Sequence, residues 1–174
     1  MEGRIQLKYA LAFLRFRKTG VVQHLLHQLK YNNHPEIGVR LGKLYAKELV
    51  ESGFDIAFDM IIPIPLHRSR KRRRGYNQSE KFAEGLSEFL QIPWDEEIVE
   101  RRIKTTTQTH KSKIERWENV KDVFFIKYPE RIFGKRILLV DDVITTGATL
   151  EACGHQLLKH GCLELSIACI AEAQ

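Results

Sequence analysis

The apolar positions of this chain fall into segments of two different periods. YALAFLRF (9–16) reads as a first strand or an extended entry segment. From Val21 onward, Val22, Leu25, Leu26 and Leu29 keep helical spacing up to Lys30-Tyr31-Asn32-Asn33. A second helix follows Pro35, with Ile37, Leu41, Leu44, Tyr45 and Leu49 at i, i+4, i+7, i+8 and i+12, and Gly53 closes it. AFDMIIPIPL (57–66) predicts a buried strand ending in prolines, which a central strand excludes from its interior but tolerates at its end. Asn77-Gln78-Ser79-Glu80 has the N-x-x-E form of a capping box, and Phe82, Leu86, Phe89 and Leu90 give the helix behind it an apolar face. Residues 102–122 are polar and lack a period, as expected of a long functional loop. RILLV (136–140) predicts a strand, 148–160 a helix stopped by Gly161, and LELSIACIA (163–171) a last strand. Strands alternating with helices imply an α/β fold with a mostly parallel central sheet. Ligands of such sheets bind beyond the carboxyl ends of the strands, where Asp141, Pro65 and an arginine-rich stretch all fall.

The stretch RILLVDDVITTGATL carries the chemistry. The predicted strand ends at Val140, and a helix begins near Gly147 or Ala148. Amides of the connecting loop and of the first helical turn lack backbone partners, and the helix dipole adds positive potential. Together they suit a phosphate monoester. Thr145, Thr146 and Thr149 add hydroxyl donors, while Gly147 permits close backbone approach and a positive φ. Asp141 and Asp142 accept hydrogen bonds when ionised, so they suit sugar hydroxyls or, through water, a hydrated Mg²⁺. A phosphate cradle beside two hydroxyl-seeking acids describes a ribose 5-phosphate. The plainer alternative is a strand–turn–helix junction whose two acids cap the helix and face water.

Composition narrows the setting. The 174 residues, 43% hydrophobic and 29% charged, are expected to form a single soluble domain. No apolar stretch reaches the roughly 18 to 20 residues that span a bilayer, and the first residues do not read as a secretory signal. Cys153, Cys162 and Cys169 form no C-x-x-C pair and lack zinc-fold spacings, which favours reduced thiols in a cytoplasmic protein, two of them in apolar settings that suit a small buried filler. His24, His27 and His34 lack acidic or cysteine partners nearby in sequence, and Trp94 and Trp117 read as packing residues. The formal net charge is +6, and six basic residues, Arg68, Arg70, Lys71, Arg72, Arg73 and Arg74, account for all of it. This run is open to three readings: a solvated charged loop, a pyrophosphate contact, or a nucleic-acid backbone contact. Aromatic interleaving is limited to Tyr76, which gives base stacking little support.

ILLVDDVITTGAT resembles the phosphoribosyl-diphosphate (PRPP) motif of type I phosphoribosyltransferases, with four apolar residues, two acids, two apolar residues and T-T-G-x-T. PIPLHRSRKRRRGYNQSE resembles the P-x-P-L…R-G-x-N-Q segment of the ComF/GntX-like, amidophosphoribosyltransferase-like branch. Arg102, Thr105, Gln108, Arg116, Asn119 and Phe124 resemble its R…T-x-x-Q…R-x-x-N…F segment, and Lys30-Tyr31 falls where the branch has a lysine after its first helix.

The resemblance implies one phosphoribosyltransferase-type domain over 1–174, with a small N-terminal hood and first helices over about 1–56. The core would span 57–174, with a long mobile cover loop over about 102–122. It implies that Asp141 and Asp142 hold the ribose hydroxyls and that Thr145, Thr146, Gly147, Ala148 and Thr149 hold the 5-phosphate. Leu66, His67 and Arg68 would face the pyrophosphate, and Lys113 and Arg116 would reach the leaving group when the cover closes. Mg²⁺ would be held mainly through PRPP and water, with Asp141 and Asp142 as further candidates. The implied activity is transfer of a 5-phosphoribosyl group from PRPP to a nucleophilic acceptor that no signature here identifies. The alternative is a PRPP-binding or single-stranded-DNA-binding accessory of DNA uptake, with Arg70, Arg72, Arg73 and Arg74 on the DNA or on a phosphate. A homodimer is compatible with either. Many members carry a four-cysteine zinc ribbon before this part. None stands in this sequence, whose GRIQLKYALAFL resembles the segment that follows the ribbon, so the chain reads as a shortened or naturally short member. Met1 is not followed by a nucleophilic cysteine, so no glutamine-hydrolysing half is expected.

Overall fold

The computed structural model describes residues 5–16, 20–102 and 123–173. Strands β1 (Ala10–Phe16), β2 (Met60–Pro63), β5 (Arg136–Ile144) and β6 (Glu164–Ala173) form a parallel sheet in the order β1-β6-β5-β2. Strands β3 (Val99–Arg101) and β4 (Phe124–Ile126) make a separate antiparallel pair. The helices are α1 (Val21–Tyr31), α2 (Pro35–Glu51), α3 (Arg68–Arg74), α4 (Gln78–Leu90) and α5 (Ala148–Lys159), and a short 3₁₀ turn spans Pro129–Arg131.

Alternation along β5 explains its unbroken apolar run. Leu138 and Val140 join a core with α1, α2 and α4, whereas Ile137 and Leu139 join a second core with α5 and the β3–β4 pair. A strand covered on both faces needs apolar residues at every position. β6 divides in the same way, with Ala168 and Ile170 on one side and Leu165 and Ile167 on the other.

The first core depends on close helix contact. A Cβ added at Gly85 of α4 would lie 2.1 Å from the Val39 carbonyl oxygen, and one at Gly42 of α2 would lie 2.5 Å from that of Phe82. The α2 stripe that packs here is therefore Gly38, Leu41, Gly42, Tyr45, Ala46 and Leu49. The expected Leu44 is 56% exposed and Phe89 of α4 is 43% exposed. Glycines are silent in a hydrophobic pattern, so the buried face lies beside the one that the leucines mark.

Three boundaries also differ from expectation. The 57–66 strand shortens to Met60–Pro63, although the Ile64 amide still donates to the Val140 carbonyl at 2.8 Å. The strand expected to end at Val140 continues to Ile144, because Asp141, Val143 and Ile144 pair with Cys169, Ala171 and Glu172 of the longer β6. The arginine run, expected as a loop, is helix α3, opened by the His67 imidazole accepting from the Ser69 amide and closed by Gly75 at φ +82°. All three cysteines are free, as expected, and all three rather than two are buried; burial raises their thiol pKa values, to about 11 for Cys162 and about 12 for Cys169. Among the described residues no helix is long and apolar enough to cross a membrane.

Candidate functional site

β2 and β5 run side by side and end together, with Pro63 paired to Val140. This pairing carries Ile64, the residue after β2, alongside Val140, one residue before Asp141, and residues 145–149 follow directly on β5. Both sequence-predicted segments thus start from the carboxyl ends of neighbouring strands.

Asp141 and Asp142 occupy β5 itself, half-buried. Asp141 Oδ1 accepts from Ser79 Oγ at 2.9 Å and from the Asp142 amide at 2.8 Å. Burial, and then the neighbouring Asp142 carboxylate, push the Asp141 pKa up to about 7. Asp142 faces differently, its Oδ2 lying 2.9 Å from Lys30 Nζ at the end of α1. The reading in which both acids merely cap the following helix is incorrect: α5 is capped by the Gly147 backbone at φ +75°, without a side-chain cap. The two carboxylates are instead held by other elements, Asp141 by Ser79 of α4 and Asp142 by Lys30 of α1.

Thr145 and Thr146 are exposed, Gly147 is buried, Ala148 is exposed and Thr149 is half-buried. The Ala148 amide makes a long contact of 3.4 Å to Thr146 Oγ1. The loop and first turn of this 12-residue helix are therefore an open cradle of amides and hydroxyls with positive potential.

Leu66 and His67 are half-buried, and His67 Nδ1 lies 2.8 Å from Ser69 Oγ. The Arg68 guanidinium turns to Glu100 on β3 at 2.8 Å. Lys71 bridges the buried Glu80 at 2.8 Å and Glu96 at 3.0 Å, tying α3 to α4. Burial opposes the Lys71 charge, but these two hydrogen bonds outweigh it and hold its pKa above the lysine norm. Glu80 is therefore not the reciprocal half of a capping box. Its carboxylate meets Lys71 and the side chain of Asn77, whose Oδ1 caps α4 through the Ser79 amide and whose Nδ2 donates to the Ile64 carbonyl. Arg74 donates to Gln78 Oε1 at 2.8 Å, and Arg70, Arg72 and Arg73 are exposed. Lys113 and Arg116 lie outside the described residues.

Three neighbours of the carboxylates were not singled out as site residues from sequence. Ser79 was hidden inside the capping pattern, and Lys30 was noted only for its place after the first helix. Arg101, beside the resembling Arg102, is a half-buried cation over the Phe124 ring at 5.5 Å and close enough to be attracted to Asp141. Burial and then the nearby Arg70 lower its pKa. His24 and His27 are exposed, and among the described residues no group of three or more His, Cys, Asp or Glu could hold a metal. Tyr76 is buried with its hydroxyl donating to the Leu29 carbonyl, so it is no stacking platform.

Comparison with known proteins agrees with this geometry. The family described as "Phosphoribosyl transferase domain" matches residues 27–174. The "DNA utilization protein YhgH" of Escherichia coli (strain K12) is 35% identical over 150 residues, which cover 84% of this chain and 65% of that protein. The "Competence protein F" of Haemophilus influenzae is 40% identical over 116 residues, covering 66% of this chain and 51% of that one. The chain therefore spans about half to two thirds of the length of these curated relatives. Among solved structures, the glutamine PRPP amidotransferase from B. subtilis complexed with ADP and GMP superposes with a TM-score of 0.53 at 22% identity. The match covers 76% of this chain and 25% of that one, a likeness of fold. By its sequence match and its parallel α/β architecture, this chain belongs to the phosphoribosyl transferase domain family, in the ComF-like branch of its relatives.

Proposed function

We propose that the chain binds PRPP and transfers its phosphoribosyl group to a nucleophilic acceptor, releasing pyrophosphate. The observation that carries this reading is the convergence of the Asp141–Asp142 pair with the Gly147 helix start at the carboxyl end of an interior strand of a parallel sheet. The ribose hydroxyls donate to the two carboxylates. Ser79 and the Asp142 amide hold Asp141 Oδ1, which orients the carboxylate for that contact. The amides and hydroxyls of 145–149 take the 5-phosphate, and the segment from Leu66 to Arg68 meets the pyrophosphate.

In the reaction the C1–oxygen bond breaks and its electron pair leaves with the pyrophosphate. The acceptor's lone pair forms the new bond to C1, and the acceptor's proton passes to pyrophosphate or water. Positioning and charge stabilisation supply the rate. Lys113 and Arg116 are proposed to reach the leaving group. The donor set suits Mg²⁺ held mainly through ligand and water, since two half-buried carboxylates are too few for a cage of protein side chains. Such an ion, when bound, neutralises the charge growing on the pyrophosphate.

Titration calorimetry tests the reading. Mg²⁺-dependent PRPP binding is expected, and it should vanish in the Asp141→Asn/Asp142→Asn chain. Absence of PRPP binding to the intact protein would sink the proposal.

A second reading is a PRPP-cradle protein that handles single-stranded DNA. It is supported by the exposed arginines of α3 and by relatives named for DNA utilization and competence. It expects a salt-dependent shift of single-stranded DNA that is lost when Arg70, Arg72, Arg73 and Arg74 become Gln. Binding unchanged by those substitutions counts against it.

A further inference from the structure

The segment proposed to meet the pyrophosphate carries one permanent cation, Arg68, and that cation is already engaged. Its guanidinium donates to Glu100 Oε1 at 2.8 Å, reaching from α3 to β3. Glu100 Oε2 accepts from Arg102 Nε at 3.1 Å, so both carboxylate oxygens have a partner. The Arg102 bond, with the charges of Arg102 and Arg68 behind it, holds the Glu100 carboxyl below the usual carboxylate range. Glu100 is therefore ionised at neutral pH.

Arg68 and Glu100 face a cavity of about 280 Å³ that Pro65, Leu66 and Arg101 also line. Four acidic and four basic side chains surround it among the described residues, so an entering anion meets repulsion as well as attraction. Arg101 ties the cavity to the carboxylate pair, being close enough to be attracted to Asp141. The two α3 cations in its wall differ in how firmly they are held. Lys71 has two partners, one of them the buried Glu80. The Arg68 side chain is 80% exposed, and Glu100 is its single ion-pair partner among the described residues. An exposed pair of that kind opens at little cost.

We infer that Glu100 controls the hold of Arg68 on pyrophosphate: the guanidinium passes from the Glu100 carboxylate to the incoming pyrophosphate group and returns when the product leaves. The inference rests on the PRPP reading above. Glu100 is a positioning residue that acts on the ligand through Arg68. Its carboxylate competes with an anion for the same donors, so it weakens pyrophosphate binding and favours product release.

Calorimetric titrations of the full chain with Mg²⁺ and either PRPP or inorganic pyrophosphate test this in the wild type, Glu100→Gln, Arg68→Gln and the double variant. Glutamine keeps the length of the side chain and an oxygen for Arg102. Glu100→Gln should bind both ligands about two- to fivefold more tightly, the factor to which an exposed ion pair corresponds. In the Arg68→Gln background the same change should leave affinity unaltered, because no guanidinium is left to release. Glu97→Gln is the control for charge alone, since Glu97 lines the same cavity but its carboxylate lies 3.9 Å from Arg131. It should leave affinity unaltered as well. Unchanged or weaker binding in Glu100→Gln overturns the inference. So does a gain that persists without Arg68, or one that Glu97→Gln matches, because either is the effect of removing any negative charge. If the wild type binds neither PRPP nor pyrophosphate, the transferase reading itself falls and the role of Glu100 falls with it.

Discussion

Lys30 Nζ lies 2.9 Å from Asp142 Oδ2, joining the end of the first helix to the carboxylate pair in the middle of the sheet. Both side chains are largely withdrawn from solvent, with 23% and 17% exposed. A partly buried pair of this kind is screened less than a surface one. Lys30→Met and Asp142→Asn should each destabilise the fold by about 1 kcal/mol. A double-mutant cycle in urea should return a coupling of at least about 0.5 kcal/mol. Additive effects would show that the contact contributes nothing.

Asp141 predicts a pH dependence. Its folded-state pKa of about 7 stands above the ordinary 3.8, so the folded chain keeps a proton that the unfolded chain releases. Its contribution favours folding at low pH and is lost as pH rises from about 4 through about 7. The Asp141→Asn chain cannot titrate there. Urea midpoints should show the variant gaining on the wild type between about pH 4 and about pH 7. A constant difference across that range would refute the raised pKa.

Gly85→Ala tests the α2–α4 contact. The new methyl would meet the Val39 carbonyl at 2.1 Å, a backbone atom that cannot swing aside. A loss of about 1–3 kcal/mol is expected in chemical denaturation. Retained stability would mean that the helices separate easily.

Gly147→Ala should cost about 1–2 kcal/mol, because φ is +75° there. It should also weaken PRPP binding about tenfold by moving the amides of the cradle. Gly53→Ala is the control: φ is +72° and nothing lies within 4 Å of the added Cβ. It should carry a similar stability cost and leave PRPP binding intact. Equal binding losses in the two variants would dissociate the cradle from Gly147.

Much of the fold was legible because its elements differ in period. The stretches 137–140 of β5 and 167–171 of β6 are apolar at every position, which marks strands covered on both faces, and α1, α2, α4 and α5 carry helical spacing with end signals. The errors share one cause. Leu44 and Phe89 looked like core residues because nothing in a pattern of apolar letters shows that Gly42 and Gly85 let two helices touch. Val140 looked like a strand end because acids usually end a strand. β6 is long enough to pair beyond it, and partner length is not a local property.

By itself the sequence determined the alternation of strands and helices and a glycine free to take a positive φ at the T-T-G-A-T helix start, since these depend on residues adjacent in the chain. Tertiary structure alone decided the partners of the two acids. Ser79 reached Asp141 and Lys30 reached Asp142 only because the parallel sheet and the α2–α4 contact carried their helices there. It also decided the fate of the arginine run, neutralising Arg68 and Lys71 against distant acids and leaving Arg72 and Arg73 facing α1. Charge can be counted along a chain, but which charges meet depends on how the chain is packed.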